Sequence, residues 1–192
     1  FIDYRHYQRN TLESSAVQAP WLEQLSQRLF NATDAATALI CDDQRWSYLQ
    51  LGEQVKQLMA ALQQRDIQAG EVIAICLPRG PQQISLALAC VLQGIVWVPI
   101  DINSPEERRA YLLENCQPAL VIHHGQLNSG VTFEALLHTA ASPARLHDSR
   151  WLQTRSLSED ASYYLYTSGT TGKPKCVVLN NRATGNVIAQ TV

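Results

Sequence analysis

The stretch "VIAICLPRGPQQISLALACVLQGIVWVPI", Val72 to Ile100, sets the architecture. Val72 to Leu77 is an unbroken apolar run of strand length, the pattern of a strand buried on both faces. Pro78, Arg79 and Gly80 turn the chain. Pro81 opens an apolar helix over Gln82 to Gln93, and Gly94 ends it. Ile95 to Ile100 is a second apolar strand. A strand, a covering helix and a second strand form the unit of a parallel sheet, because a parallel connection must cross over the sheet.

The same alternation extends both ways. Upstream, Trp21, Leu22, Leu25 and Leu29 have helical spacing over Trp21 to Phe30. Ala38 to Cys41 is a short strand, and Asp42-Asp43 is a turn. Ser47 caps a helix that carries Tyr48, Leu51, Val55, Leu58, Met59 and Leu62 on one face. That helix is expected to stop near Gly70. Downstream, Ser104-Pro105-Glu106-Glu107 predicts a capping box with Pro at the first helical position, and a helix to about Asn115. Ala119 to His123 is a strand and Phe133 to Leu137 a short helix. Ser142 to Ser158 reads as loop. Two strands, Tyr163 to Thr167 and Cys176 to Leu179, precede the start of a last helix. The fold class expected is α/β: a layered, mainly parallel sheet flanked by helices.

Composition narrows the function. The chain has 192 residues, 46% hydrophobic and 17% charged, with a formal net charge of −2. Such a balance offers no basic field for nucleic acid or an anionic membrane. No apolar run reaches the length of a membrane span, and no signal peptide opens the chain, so the expected location is the cytoplasm. Cys41, Cys76, Cys90, Cys116 and Cys176 are odd in number and form no CxxC pair. They read as unpaired thiols of a reducing compartment, not as a disulfide framework or metal site.

The chemistry concentrates in "TSGTTGKPK", Thr167 to Lys175. Gly169 and Gly172 allow a tight loop whose N–H groups can approach an oxyanion. Thr167, Ser168, Thr170 and Thr171 supply hydroxyls, and Lys173 and Lys175 supply positive charge. This donor set suits the phosphates of a nucleotide. The Walker pattern G-x-x-x-x-G-K-[ST] does not fit, since two residues separate the glycines and Pro174 follows Lys173. A strand, not a helix, follows the loop, and the fingerprint G-x-G-x-x-G is also absent.

"YTSGTTGKPK" (Tyr166 to Lys175) resembles the phosphate-loop signature of the adenylate-forming superfamily: acyl-CoA synthetases, luciferases and the adenylation domains of nonribosomal peptide synthetases. "RWSYLQL" (Arg45 to Leu51) resembles the early motif T/S-Y-x-E-L of those adenylation domains. "VLQGIVWVPIDINSPEERRAYLLENCQPALVI" (Val91 to Ile122) resembles their second motif, with Pro99, Asp101, Pro105, Glu107 and Arg108 in place. That second motif favours amino-acid-activating enzymes over fatty-acyl or aryl ligases.

The resemblance implies the N-terminal portion of the large domain of the adenylate-forming fold, over residues 21–192 and truncated after the phosphate loop. Residues 1–20 then form a linker or the tail of a preceding domain. "DYRHYQR" (Asp3 to Arg9) is faintly similar to a condensation-domain motif, which makes a condensation domain one candidate neighbour. The implied reaction uses ATP with Mg²⁺ and an amino acid or other carboxylic acid. It gives an acyl-AMP and pyrophosphate, before thioester transfer to phosphopantetheine on a peptidyl carrier domain. By the same resemblance, Thr167 stands near the phosphates and Mg²⁺. Ser168, Thr170 and Thr171 donate to phosphate oxygens, Gly169 and Gly172 give flexibility, and Lys173 and Lys175 neutralise charge. No residue of this segment is implied as catalytic in itself, and the segment alone is expected to be inactive. Two alternatives remain: an acyl- or aryl-CoA or carrier ligase of the same superfamily, and a degenerate, non-catalytic docking module.

Two positions depart from the family pattern. Cys176 stands where Gly follows the loop, and Asn181 stands where His is usual. Other tempting groups have plainer readings. His123-His124 lack a third ligand and read as surface or edge residues. Asp42-Asp43 belong to a turn, Glu106-Glu107 to a helix start, and Asp101 to a turn or cap contact. Cys176 reads as a packing residue.

Overall fold

Two periodicities in the sequence become two kinds of element. The computed structural model describes residues 20–33, 35–139, 160–168 and 173–191. Among these, helical spacing forms α1 (Pro20–Phe30), α2 (Tyr48–Gln64), α3 (Pro81–Leu92), α4 (Glu106–Cys116), α5 (Phe133–Thr139) and α6 (Asn181–Thr191). The strands are β1 (Thr37–Cys41), β2 (Gln44–Ser47), β3 (Val72–Cys76), β4 (Val96–Pro99), β5 (Leu120–His123), β6 (Val131–Thr132), β7 (Ala161–Thr167) and β8 (Lys175–Asn180). The linker reading of residues 1–20 and the loop reading of Ser142 to Ser158 fall almost entirely outside the described residues.

The main sheet has the order β6-β5-β3-β4-β7-β8, with β3 inside it. β3 pairs parallel with β4 and with β5, and β6 lies parallel to β5. β7 is parallel to β4, in register at Trp97 and Tyr163, while β8 runs antiparallel to β7. The sheet is therefore mainly parallel, with helices on both faces. Alternation along the strands divides the core in two. Ile73, Ile75 and Ile122 face Leu22, Leu58, Leu86 and Phe133 from α1, α2, α3 and α5. Ala74, Cys76, Val96 and Val98 face the other way, onto Leu112 and Cys116 of α4 and Tyr164 of β7.

Long-range contacts overrule local signals at several points. β2 and β6 carry little apolar pattern and form by pairing. β2 returns along β1 through a turn at Asp42, whose φ of 51° suits a short polar side chain. α2 stops at Gln64, well before Gly70. Asp66 takes φ 57°, its N–H bonds the Gln63 carbonyl, and the Ile67 N–H reaches back to Leu62. This Schellman geometry turns Ile67 back onto the first core, so burial of Ile67 ends the helix early. The capping box expected at Ser104 is absent: Pro105 is the N-cap and no side chain caps α4. Ser104 stands one residue too early to reach the first-turn N–H groups, and Arg109 instead binds the Ile102 and Ser104 carbonyls. The box at Ser47 does form, reciprocally with Gln50.

All five cysteines are free thiols. Burial pushes the Cys76 thiol up to about 11 and Cys116 up to about 12, and raises Cys90 further. A thiol that ionises at higher pH when folded makes the unfolded state lose its proton first. Folding stability is therefore intact below the ordinary thiol range and falls as pH rises from it toward 11. Each such thiol costs up to about 1.4 kcal/mol per pH unit in that window. Urea unfolding under reductant at pH 8, 9.5 and 10.5 should show this steep loss; a flat profile would contradict it.

Candidate phosphate-loop site

Strand register sets where the two ends of the loop stand. Thr167 lies opposite Lys175 and Tyr166 opposite Cys176, so the chain from Ser168 to Pro174 bridges the far end of an antiparallel pair. Because β7 runs parallel to β3 and β4, this end lies at the carboxyl edge of the sheet. Open α/β sheets take ligands at that edge. Thr167, Ser168, Lys173 and Lys175 are all exposed there. Gly169, Thr170, Thr171 and Gly172 lie outside the described residues.

The stems are fixed by aromatic residues. Tyr163 stacks on Trp97 of β4 with ring centroids 5.0 Å apart. On the opposite face, the Tyr166 hydroxyl donates to Asn115 Oδ1 of α4 at 2.6 Å. The Tyr111 hydroxyl stands 3.5 Å from the Pro174 carbonyl oxygen. Cys176 is half-buried and packs against the second core, as a packing residue should. Burial raises its thiol, and the Tyr166 side chain offsets part of that. Tyr111 and Asn115 carry no functional signal in the sequence, and Tyr166 enters it only as the first residue of the loop signature. The one visible pattern is that Tyr111 and Asn115 lie four residues apart on a helix.

The remaining expectations divide. Asp101 Oδ1 accepts from the Asn103 N–H at 2.9 Å, a turn contact. His123 is not a surface or edge residue: it is 3% exposed. β6 covers the flank of β5, and His123 pairs with Cys76 on one side and Thr132 on the other. Its Nδ1 accepts from the Gly125 N–H at 2.9 Å. His124 is partly exposed, with Nε2 2.6 Å from Gln82 Oε1 and Nδ1 3.4 Å from Glu134 Oε1. Among the described residues, no three His, Cys, Asp or Glu side chains group as a metal site.

Asn181 is buried at the start of α6, at the end of β8 remote from the loop. Its N–H bonds the Asp160 carbonyl, and its carbonyl accepts from Trp21 Nε1 at 2.9 Å. β8 is roughly 20 Å long at about 3.4 Å per residue, so this departure sits far from the lysines.

The donor set defines what the site can do. Between Thr167 and Lys175 there is no carboxylate, only hydroxyls, backbone groups and two ammonium groups. Such a set suits a polyanion, to which hydroxyls, backbone N–H groups and ammonium groups can all donate.

Comparison with known proteins identifies the family. The family described as AMP-binding enzyme matches residues 27–192. Tyrocidine synthase 3 of Brevibacillus parabrevis is 35% identical over 189 residues, which is 96% of this chain and 3% of that synthase. The Klebsiella oxytoca NpsA N-terminal subdomain in complex with 3-hydroxybenzoyl-AMSN superposes with a TM-score of 0.67 at 28% identity. That match covers 88% of this chain and 42% of the NpsA chain. NpsA-ThdA, an artificially fused adenylation-PCP di-domain of a Klebsiella oxytoca nonribosomal peptide synthetase, gives a TM-score of 0.71 at 26% identity. It covers 91% of this chain and 34% of that one. The chain thus spans a small part of the curated synthase and less than half of each of these two structures. No helix among the described residues is long and apolar enough to cross a membrane.

Proposed function

The chain belongs to the AMP-binding enzyme family of adenylate-forming ligases, and from that premise we propose that it is the N-terminal part of an adenylation domain that activates an amino acid within a nonribosomal peptide synthetase. The observation that carries this reading is the placement of exposed hydroxyls and lysines at the carboxyl end of β7, on a loop with no carboxylate. That donor set fits ATP with Mg²⁺. ATP would supply the α-phosphate for attack by the substrate carboxylate and pyrophosphate as the leaving group. Lys173 and Lys175 would neutralise the charge that develops on the leaving side. Ser168, Thr170 and Thr171 would orient phosphate oxygens, Gly169 and Gly172 would let backbone N–H groups approach, and the Thr167 hydroxyl would face Mg²⁺.

The aminoacyl-AMP would then pass its acyl group to the phosphopantetheine thiol of a peptidyl carrier domain. The fused adenylation-PCP protein among the structural matches supports that partner. A condensation domain upstream and a cytoplasmic setting complete the reading. The NpsA match with 3-hydroxybenzoyl-AMSN favours a second one, in which the acid is aromatic.

ATP–pyrophosphate exchange on the intact synthetase, with a panel of amino acids and hydroxybenzoates, separates the two. Exchange driven by an amino acid sustains the first, and exchange driven only by an aryl acid replaces it with the second. No exchange with any acid, in a folded protein, would remove both. The 192-residue chain alone should form no acyl-AMP, since it spans under half of the matched subdomain.

A further inference from the structure

The loop stems depend on α4. Among the described residues β8 pairs only with β7, and β7 meets β4 in register at Trp97 and Tyr163. The end of the hairpin that carries the loop therefore extends past the ladder that holds the other strands. Two contacts from α4 reach it there. Tyr111 and Asn115 are four residues apart, so they lie one above the other on one face of the helix. Leu112 and Cys116 form the neighbouring row, buried against the sheet. Asn115 receives the Tyr166 hydroxyl at 2.6 Å, just before the loop begins. Tyr111 stands against the Pro174 carbonyl, just before the loop ends. The start of α4 is itself tied down, because Arg109 donates to the Ile102 carbonyl at 3.1 Å and to that of Ser104. Those carbonyls lie just past β4. A continuous path runs from the carboxyl end of β4, through α4, to both stems of the loop.

We infer that Asn115 and Tyr166, with Tyr111 as a second contact, are positioning residues: α4 is a strut that fixes the loop stems over the carboxyl edge and so sets affinity for a nucleoside triphosphate without touching it. The strut stands on the contacts alone; its effect on affinity rests on the proposed function.

The strut is tested by hydrogen exchange on the 192-residue chain, comparing Tyr166→Phe, Asn115→Leu and Asn115→Asp. The last keeps an acceptor for the Tyr166 hydroxyl. A lost hydrogen bond of ordinary strength speeds local opening about tenfold. Amides at Thr167, Ser168, Lys173 and Lys175 should exchange about tenfold faster in Tyr166→Phe and Asn115→Leu. They should return to the original rate in Asn115→Asp, while β3 and β4 amides stay unchanged. Unchanged stems, or equal acceleration in β3 and β4, would overturn the strut.

In the intact synthetase, the same two loosening variants should raise the KM for Mg·ATP several-fold, leaving the KM for the acid substrate and the Tm unchanged. An unchanged KM for ATP beside fast stems would overturn the effect on affinity. A synthetase with no ATP–pyrophosphate exchange at all would sink the proposed function, yet leave the exchange result on the stems standing.

Discussion

Replacing Lys173 and Lys175 together by Ala should lower ATP–pyrophosphate exchange by the intact synthetase on the order of 10³-fold, the loss typical when a donor to developing charge is removed. Both side chains are exposed at the loop end of the β7–β8 hairpin, and neither belongs to a core cluster. Their removal should therefore move the Tm by little, because exposed substitutions away from caps and cores change stability by roughly 0.5 kcal/mol or less. The loss should appear in kcat as well as in the KM for ATP, since charge builds up on the leaving pyrophosphate only as the bond breaks. Lys173→Arg with Lys175→Arg should recover part of the rate, as charge is kept and point geometry is lost. Retention of a tenth or more of the activity by the double Ala variant would show that the loop is not the leaving-group clamp.

The second large effect is on stability. Gly52→Ala should destabilise the chain by about 3 kcal/mol, at the upper end of overpacking costs. In a protein of this size that lowers the Tm by roughly 6–12 °C. Gly52 is buried inside α2 where it crosses the end of α1. A Cβ there would stand 2.1 Å from the Leu29 carbonyl oxygen and 3.0 Å from its carbonyl carbon. Those are backbone atoms, so no side chain can swing aside, and α1 would have to lift away with Leu22 and Leu29 from the first core. Helix propensity predicts the opposite sign, since Ala exceeds Gly by about 1 kcal/mol in a helix interior. Thermal unfolding followed by circular dichroism decides between them, and a variant with equal or higher Tm would mean the two helices can separate freely.

The site was legible where its chemistry is local. Hydroxyls, glycines and lysines crowded between two strand patterns mark out a loop suited to a polyanion, from Thr167 to Lys175, without any knowledge of packing. The pairing of Thr167 with Lys175 follows from two strands joined directly. The supports of that loop were not legible. Tyr166 finds Asn115 across 51 residues, and Tyr111 meets Pro174 across 63. Nothing in the spacing of either pair marks it. His123 was misread for the same reason: its burial depends on β6, which has only Val131 and Thr132 and little pattern of its own.

The strand–helix alternation, the mainly parallel sheet and the hydroxyl- and lysine-rich composition of the segment from Thr167 to Lys175 were all written in local sequence. Apolar period, strand length and loop composition are properties of neighbouring residues, and neighbours are adjacent whatever the rest of the chain does. Tertiary structure alone decided the end of α2 at Gln64, the pairing of β2 and β6, the intolerance of a side chain at Gly52 and the hold of α4 on the loop stems. Each of these is a balance between a weak local preference and the burial or hydrogen bonding offered by a distant segment. Ile67 turning onto the core outweighs a few more residues of helix, and the Leu29 carbonyl outweighs the propensity of alanine. Such balances exist only once the segments have met.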